Sequence, residues 1–199
     1  MCERKGQFRM SKKTERELKA RQLIQQYCLM DDSYMTAFFK DNIEATELVL
    51  RILLRKDDLK VKKVTVQDVI KNLQGHSATL DVVAIDNKGK IYNIEVQNAV
   101  SEAHPRRARY YSSILDANSL PKGDDYEALP DTYVIFITKA DRFQKNKMLY
   151  HFVRKDEIES LNDGSHIIYV NIENRDDSAI GKLMQDFICT NPNEMCYDE

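Results

Sequence analysis

Along this chain, short apolar runs bounded by polar turns alternate with longer stretches in which apolar residues recur every three or four positions. From Ser33 onward, Met35, Phe38, Phe39, Ile43, Val49, Leu50, Leu53 and Leu54 keep helical spacing, and Asp41-Asn42-Ile43-Glu44 reads as a cap inside the stretch. One helix interrupted near Asp41, or two helices, fits. Residues 59–67, with Val61, Val64 and Val66 among polar neighbours, predict a strand. Residues 80–85 and 91–96 predict two more, joined by Asp86-Asn87-Lys88-Gly89-Lys90, a glycine-containing turn that makes them a hairpin. Past Ser101 and Pro105 a helix follows, with Ser101 as its cap and Ala108, Tyr111 and Leu115 as its packed stripe. Residues 119–130 read as a loop. TYVIFIT, from Thr132, reads as a strand buried on both faces. Residues 149–153 and 166–172 predict two strands with an Asn162-Asp163-Gly164 turn signal between them, and 179–189 a last amphipathic helix.

Within the hairpin, alternation sends Tyr92, Ile94 and Val96 to one face and Ile91, Asn93, Glu95 and Gln97 to the other. A three-residue loop with Gly89 in the left-handed conformation pairs Asp86 with Lys90 and sets Asp81 opposite Glu95. Two carboxylates facing each other on a sheet repel, and Asp81 lies in an otherwise apolar strand. A divalent cation, Mg²⁺ or Mn²⁺, is the economical compensation, because hard oxygen ligands suit those ions. A four-residue loop would instead shift the register by one, leaving both acids as edge residues facing solvent.

Composition narrows the class without naming the chemistry. At 199 residues, 42% of them apolar and 31% charged, the chain fits one domain with a real core. No apolar run approaches the ~20 residues needed to span a bilayer, and the basic start MCERKGQFRMSKK has no apolar segment after it, so no membrane partner and a cytoplasmic location are expected. Cys2, Cys28, Cys189 and Cys196 form no CxxC pair and read as reduced thiols. His76, His104, His151 and His166 read as isolated. Net charge is −2, but it is uneven: eight Lys or Arg face three Glu over residues 1–21, whereas seven acids face two bases over 173–199. A polyanion would favour the first region, whose apolar stripe (Leu18, Leu23, Ile24, Tyr27) fits a basic helical arm or simply a solvated helix.

Asp81 followed by Glu95-Val96-Gln97 resembles the PD-(D/E)XK nuclease motif, with Gln97 where Lys is usual. Together with RARYYSSILDANSLPKGDDYEALPDTYVIFI (107–137), the leading Asp31-Asp32 with Phe38-Phe39, Leu149-Tyr150, Ile168-Tyr169-Val170-Asn171 and Leu183-Met184-Gln185-Asp186-Phe187, it resembles the bacterial PD-(D/E)XK family transposases and recombination-promoting nucleases. The resemblance implies an α/β, restriction-endonuclease-like core, a mixed β-sheet flanked by helices, over residues 31–199 behind an arm at 1–30. Relatives commonly continue into more helices, so the end at Tyr197-Asp198-Glu199 reads as a trimmed or short form. It implies a Mg²⁺ or Mn²⁺ site of Asp81, Glu95 and the Val96 carbonyl, Glu47 as an additional acid from the first core helix, and Arg106, Arg107 and Arg109 as contacts to DNA phosphates. The activity implied is DNA endonuclease, with a dimer where both strands are to be cut. Gln97 is neutral and orients water or phosphate only by hydrogen bonds. A fold that binds nucleic acid or a protein without cutting, and a phosphatase of small nucleotides, are the rival functions.

Overall fold

The computed structural model of the chain describes residues 26–71 and 75–197; the basic arm expected at the N-terminus lies almost wholly outside them. Of the two alternatives for the stretch after Ser33 the structure takes the second, two helices, α1 (Asp32–Phe39) and α2 (Ile43–Leu54). The break is local chemistry: Asp41 takes a left-handed φ of 57°, and the Asn42 side chain caps α2 by accepting from Ala45 N. Strands β1 (Val61–Ile70), β2 (Ala78–Asp86) and β3 (Ile91–Gln97) follow, then α3 (Pro105–Ser119), β4 (Thr132–Thr138), β5 (Leu149–Phe152), β6 (Ser165–Asn171) and α4 (Ala179–Ile188). His104, not Ser101, caps α3, its Nδ1 accepting from Arg106 N with Pro105 in the first turn.

The six strands form one mixed sheet in the order β1-β2-β3-β4-β6-β5. β1, β2 and β3 are antiparallel, β3, β4 and β6 run parallel, and β5 returns antiparallel along one edge. Every residue of β4 is buried, which explains its unbroken apolar run: a central parallel strand has no solvent face. Helices α1, α2 and α4 cover one face, where Phe39, Leu50, Met184 and Phe187 meet Val82, Ile94, Ile135 and Val170. Helix α3 covers the other, setting Ala108, Tyr111, Ile114 and Leu115 on Val83, Val134, Phe136 and Tyr169. Each fully buried large side chain contributes about 1.5–3 kcal/mol, so both layers are well anchored. This is the expected α/β architecture. Among the described residues, no helix is long and apolar enough to cross a membrane.

The hairpin turn sets the register on which the acids depend. Asp86 N donates to Lys90 O, Gly89 N to Asp86 O, and Asp86 Oδ1 accepts from Lys88 N and Lys90 N, closing a three-residue loop around Gly89 at φ 81°. A Cβ on Gly89 would meet nothing within 4 Å, so Gly89→Ala tests the backbone alone. Its expected cost is about 1 kcal/mol in urea denaturation, without loss of the hairpin.

The histidines are less scattered than their spacing implied. His151 Nε2 and His166 Nδ1 lie 3.0 Å apart across β5 and β6, and His166 stacks on Tyr133 with ring centres 4.3 Å apart. Burial holds both imidazoles below their usual pKa.

Candidate functional site

The β2–β3 ladder runs Ile85–Ile91, Ala84–Tyr92, Val83–Asn93, Val82–Ile94, and the same count carries Asp81 opposite Glu95. Beyond Val82–Ile94 the strands exchange side-chain bonds instead of main-chain ones. Asp81 N donates to Glu95 Oε1 at 3.2 Å, and Val96 N donates to Asp81 Oδ2 at 3.2 Å. Two carboxylates therefore meet where the ladder ends, at the carboxyl ends of the parallel strands, the usual ligand end of an open α/β sheet.

Glu95 is wholly buried. Its Oε1 also accepts from Asn93 Nδ2 at 3.0 Å, and its Oε2 accepts from Arg107 Nη2 at 3.1 Å. Gln97 Nε2 makes weak 3.4 Å contacts to Glu95 Oε2 and Asp81 Oδ2, while its Oε1 accepts from Arg107 Nη1 at 3.3 Å. Gln97 thus touches both acids and the arginine. Burial, and then the charge of Asp81, pushes the Glu95 carboxyl up to about 8; burial, and then the charge of Asp32, raises Asp81 despite the Val96 N–H. Asn93 Oδ1 is buried beside Glu95 without a hydrogen-bond partner.

These features fit a small, hard divalent cation. Two carboxylates that each resist ionisation beside the other are relieved by positive charge, and Mg²⁺ characteristically takes only one or two protein carboxylates and keeps water for the rest of its shell. That modest demand matters here, because among the described residues no cluster of three or more His, Cys, Asp or Glu side chains is arranged to hold a metal.

The other expected site residues divide. Arg106 and Arg109 are exposed on α3, and Arg106 lines a cleft of about 670 Å³ with His76, Thr79, Arg107, Tyr110 and Tyr111. Arg107 leaves the other two and turns to the acids. Glu47 is not brought to them. Its Oε2 accepts from Val61 N at 2.9 Å, and its Oε1 takes Arg51 at 2.6 Å and Lys60 at 3.1 Å, pinning α2 to the start of β1. Val61 pairs with Asp86 at the turn end of the hairpin, and Gln67 lies six residues further along β1, so at roughly 3.3 Å per residue about 20 Å separates Glu47's anchor from the strand position beside Asp81.

The helix that does approach the acids is α1. Asn98 Nδ2, just past β3, donates to Met30 O at 2.7 Å and draws the entry to α1 against the site. Asp32 then lies close enough to act on Asp81 electrostatically. Gln67 links them. It stands between the β1–β2 pairs Val66–Val82 and Asp68–Leu80, across from Asp81, with a left-handed φ of 50°. Its amide favours the charged form of Asp81 and makes 3.4 Å contacts to Asp32 Oδ1 and Thr36 Oγ1. A glutamine strained mid-strand at an acid pair is a feature the sequence pattern did not show.

The model of the PD-(D/E)XK nuclease family transposases matches residues 47–185, more than half of the chain. The chain belongs to this family. None of the curated proteins and none of the solved structures compared with it matches. Membership accounts for the mixed sheet with helices on both faces and makes the domain that of a nuclease family. The family match begins at Glu47 and so leaves out Asp32.

Proposed function

We propose that the protein is a metal-dependent endonuclease that hydrolyses DNA phosphodiester bonds during recombination or transposition. The observation that carries this reading is the pair Asp81 and Glu95, face to face at the open end of the β2–β3 ladder, beside a cleft that carries arginine. Asp81, Glu95 and the main-chain carbonyl of Val96 would hold Mg²⁺ or Mn²⁺. When bound, such an ion polarises a phosphoryl oxygen and makes water acidic enough to act as a nucleophile near neutral pH.

The chain's own groups supply the rest. Gln97, touching both acids, orients water or phosphate through its amide where a lysine would add charge. Arg106 and Arg109, exposed on α3, hold backbone phosphates on the approach, since a guanidinium fork matches phosphate oxygens. One site per chain cuts one strand, so a homodimer is the arrangement for cutting both.

The rival reading, a nuclease fold that binds without cutting, draws support from the neutral Gln97 and from a Glu95 whose ionisation burial and Asp81 oppose when no cation is bound. Supercoiled plasmid separates the two. The protein is expected to nick or linearise it in Mg²⁺ or Mn²⁺, to leave it intact in EDTA, and to lose the activity at least ~10³-fold in Asp81→Ala, the scale on which removal of a transition-state charge contact acts. DNA bound but uncut in both metals would transfer the protein to the binding class.

A further inference from the structure

Arg107 has a place in this site that its neighbours on α3 do not share. It reaches back from the first turns of the helix, with Nε donating to Tyr111 Oη at 2.8 Å and Nη1 to Gln97 Oε1 and to the Glu102 carbonyl at 3.3 and 3.2 Å. Its guanidinium lies over the Tyr111 ring, 5.0 Å from the centre, and 5.9 Å from that of Phe136. Nη2 takes Glu95 Oε2. Among the described residues this is the cation that hydrogen-bonds the acid pair, and it touches the very glutamine that stands in place of the motif's lysine.

The partners of Glu95 are unequally anchored. Oε1 is held by the Asp81 main-chain N–H and by the amide of Asn93, which is buried within β3. Both belong to the sheet. Oε2 takes a weak 3.4 Å contact from Gln97 Nε2 at the end of β3 and is otherwise held by the end of a long side chain about one third exposed, rooted on a helix and bordering the cleft with Arg106, Tyr110 and Tyr111. A divalent cation arriving at Asp81 and Glu95 needs an oxygen and repels a guanidinium beside it. Of the groups on Glu95, Arg107 is the one that is both repelled and free to leave without breaking the sheet.

We propose that Arg107 guards Glu95 Oε2 in the metal-free protein, yields that oxygen to the incoming cation, and turns about Tyr111 into the cleft to take an oxygen of the target phosphate. The inference rests on the metal-dependent reading above. It assigns to a helix-borne arginine the positive charge that the strand lacks at Gln97, and it names a phosphodiester anion as what the displaced guanidinium receives. The planar fork suits that exchange of a carboxylate for a phosphate, since both present paired oxygens.

Competition and catalysis then move in opposite directions, which a merely structural arginine would not produce. Mn²⁺ binding to the full chain, followed by the loss of the free-ion electron paramagnetic resonance signal, is expected to be about tenfold tighter in Arg107→Ala than in the parent. Cleavage of a plasmid by the same variant at saturating Mn²⁺ is expected to be at least about 100-fold slower, with Arg107→Lys between the two. Arg107→Met, which keeps the side chain's bulk against Tyr111, repeats both measurements should the alanine variant fold poorly. Mn²⁺ affinity unchanged or weaker in both the alanine and methionine variants, with Asp81→Ala still abolishing binding, overturns the guard while leaving the metal site standing. Tighter binding with undiminished cleavage overturns the transfer to phosphate. A parent chain and variants that take up no Mn²⁺ at all overturn the metal reading, and this inference with it.

Discussion

Glu95→Gln is expected to leave plasmid DNA intact in Mg²⁺ and yet, in EDTA at alkaline pH, to resist urea better than the parent. The side chain is wholly buried, faces Asp81, and has its carboxyl pushed up to about 8 from an ordinary 4.5. That raised value already includes the pull of Arg107 toward the charged form, so burial and Asp81 outweigh the ion pair, and a neutral isostere of the protonated acid suits the fold better. The sign in pH follows from linkage. A carboxyl whose folded pKa is raised favours the folded state while protonated, and that contribution is lost as pH rises from about 4.5 through about 8. Glutamine has no proton to lose. The advantage of the variant therefore grows across that window to several kcal/mol above it, and is small near pH 4. Urea denaturation at pH 5 and pH 9 in EDTA checks it, and an equal gap at the two pH values would refute the account. Saturating Mg²⁺ should stabilise the parent and not the variant, because only the parent gains binding energy in the folded state.

Asp141→Ala is expected to be the more damaging change to the fold, lowering stability by about 3 kcal/mol in urea at pH 7. The residue lies after β4 and is buried. Its carboxylate accepts from the main-chain N–H groups of Phe143, Lys145 and Asn146 at 2.9, 2.9 and 3.0 Å, from Tyr150 Oη at 2.7 Å and from Asn174 Nδ2 at 3.3 Å. Burial alone would raise its pKa, but these donors win and hold it below the usual carboxylate range. Their contribution is present above the ordinary carboxyl pKa and lost as pH falls toward the depressed one. Removing the acceptor strands several donors together, which is why the cost exceeds that of one hydrogen bond. The damage should reach the candidate site, because neighbouring Arg142 Nη1 donates to Val100 O just beyond β3. A loss below about 1 kcal/mol would mean that water satisfies those donors.

How much could be read from residues alone differs by the kind of force involved. The hairpin followed from its glycine-containing turn and from strict alternation, both local rules, while the choice between a three- and a four-residue loop is made by Gly89 at φ 81° and by Asp86 Oδ1 accepting from Lys88 N and Lys90 N. β4 and α4 followed from burial written directly as apolar runs or stripes. The resemblance points to Glu47 as the additional acid of the first core helix, yet its place is decided by Val61 and Lys60, fourteen and thirteen residues away. Gln67 was hidden for a different reason: nothing in Val66-Gln67-Asp68 announces a left-handed residue that a strand carries on past. Arg107 was indistinguishable from Arg106 and Arg109 until the helix phase set it over Tyr111. His104 took the cap from Ser101 because the helix begins at Pro105, and an imidazole nitrogen can accept where a hydroxyl was expected.

The hairpin brings the two acids together by itself, whereas the groups that temper them sit on other elements: Asp32 on α1, Gln67 on β1 and Arg107 on α3. During synthesis, a chain that has emerged only as far as β3 carries the acid pair without its arginine, and α3 has no β4 to lie on. The complete constellation draws on four elements, α1, β1, the β2–β3 hairpin and α3, and the contact of longest sequence separation in it is that of Asp32 with Asp81. On the proposed reading, cleavage therefore waits on the assembled sheet, because the acid pair alone lacks the arginine that α3 sets beside it.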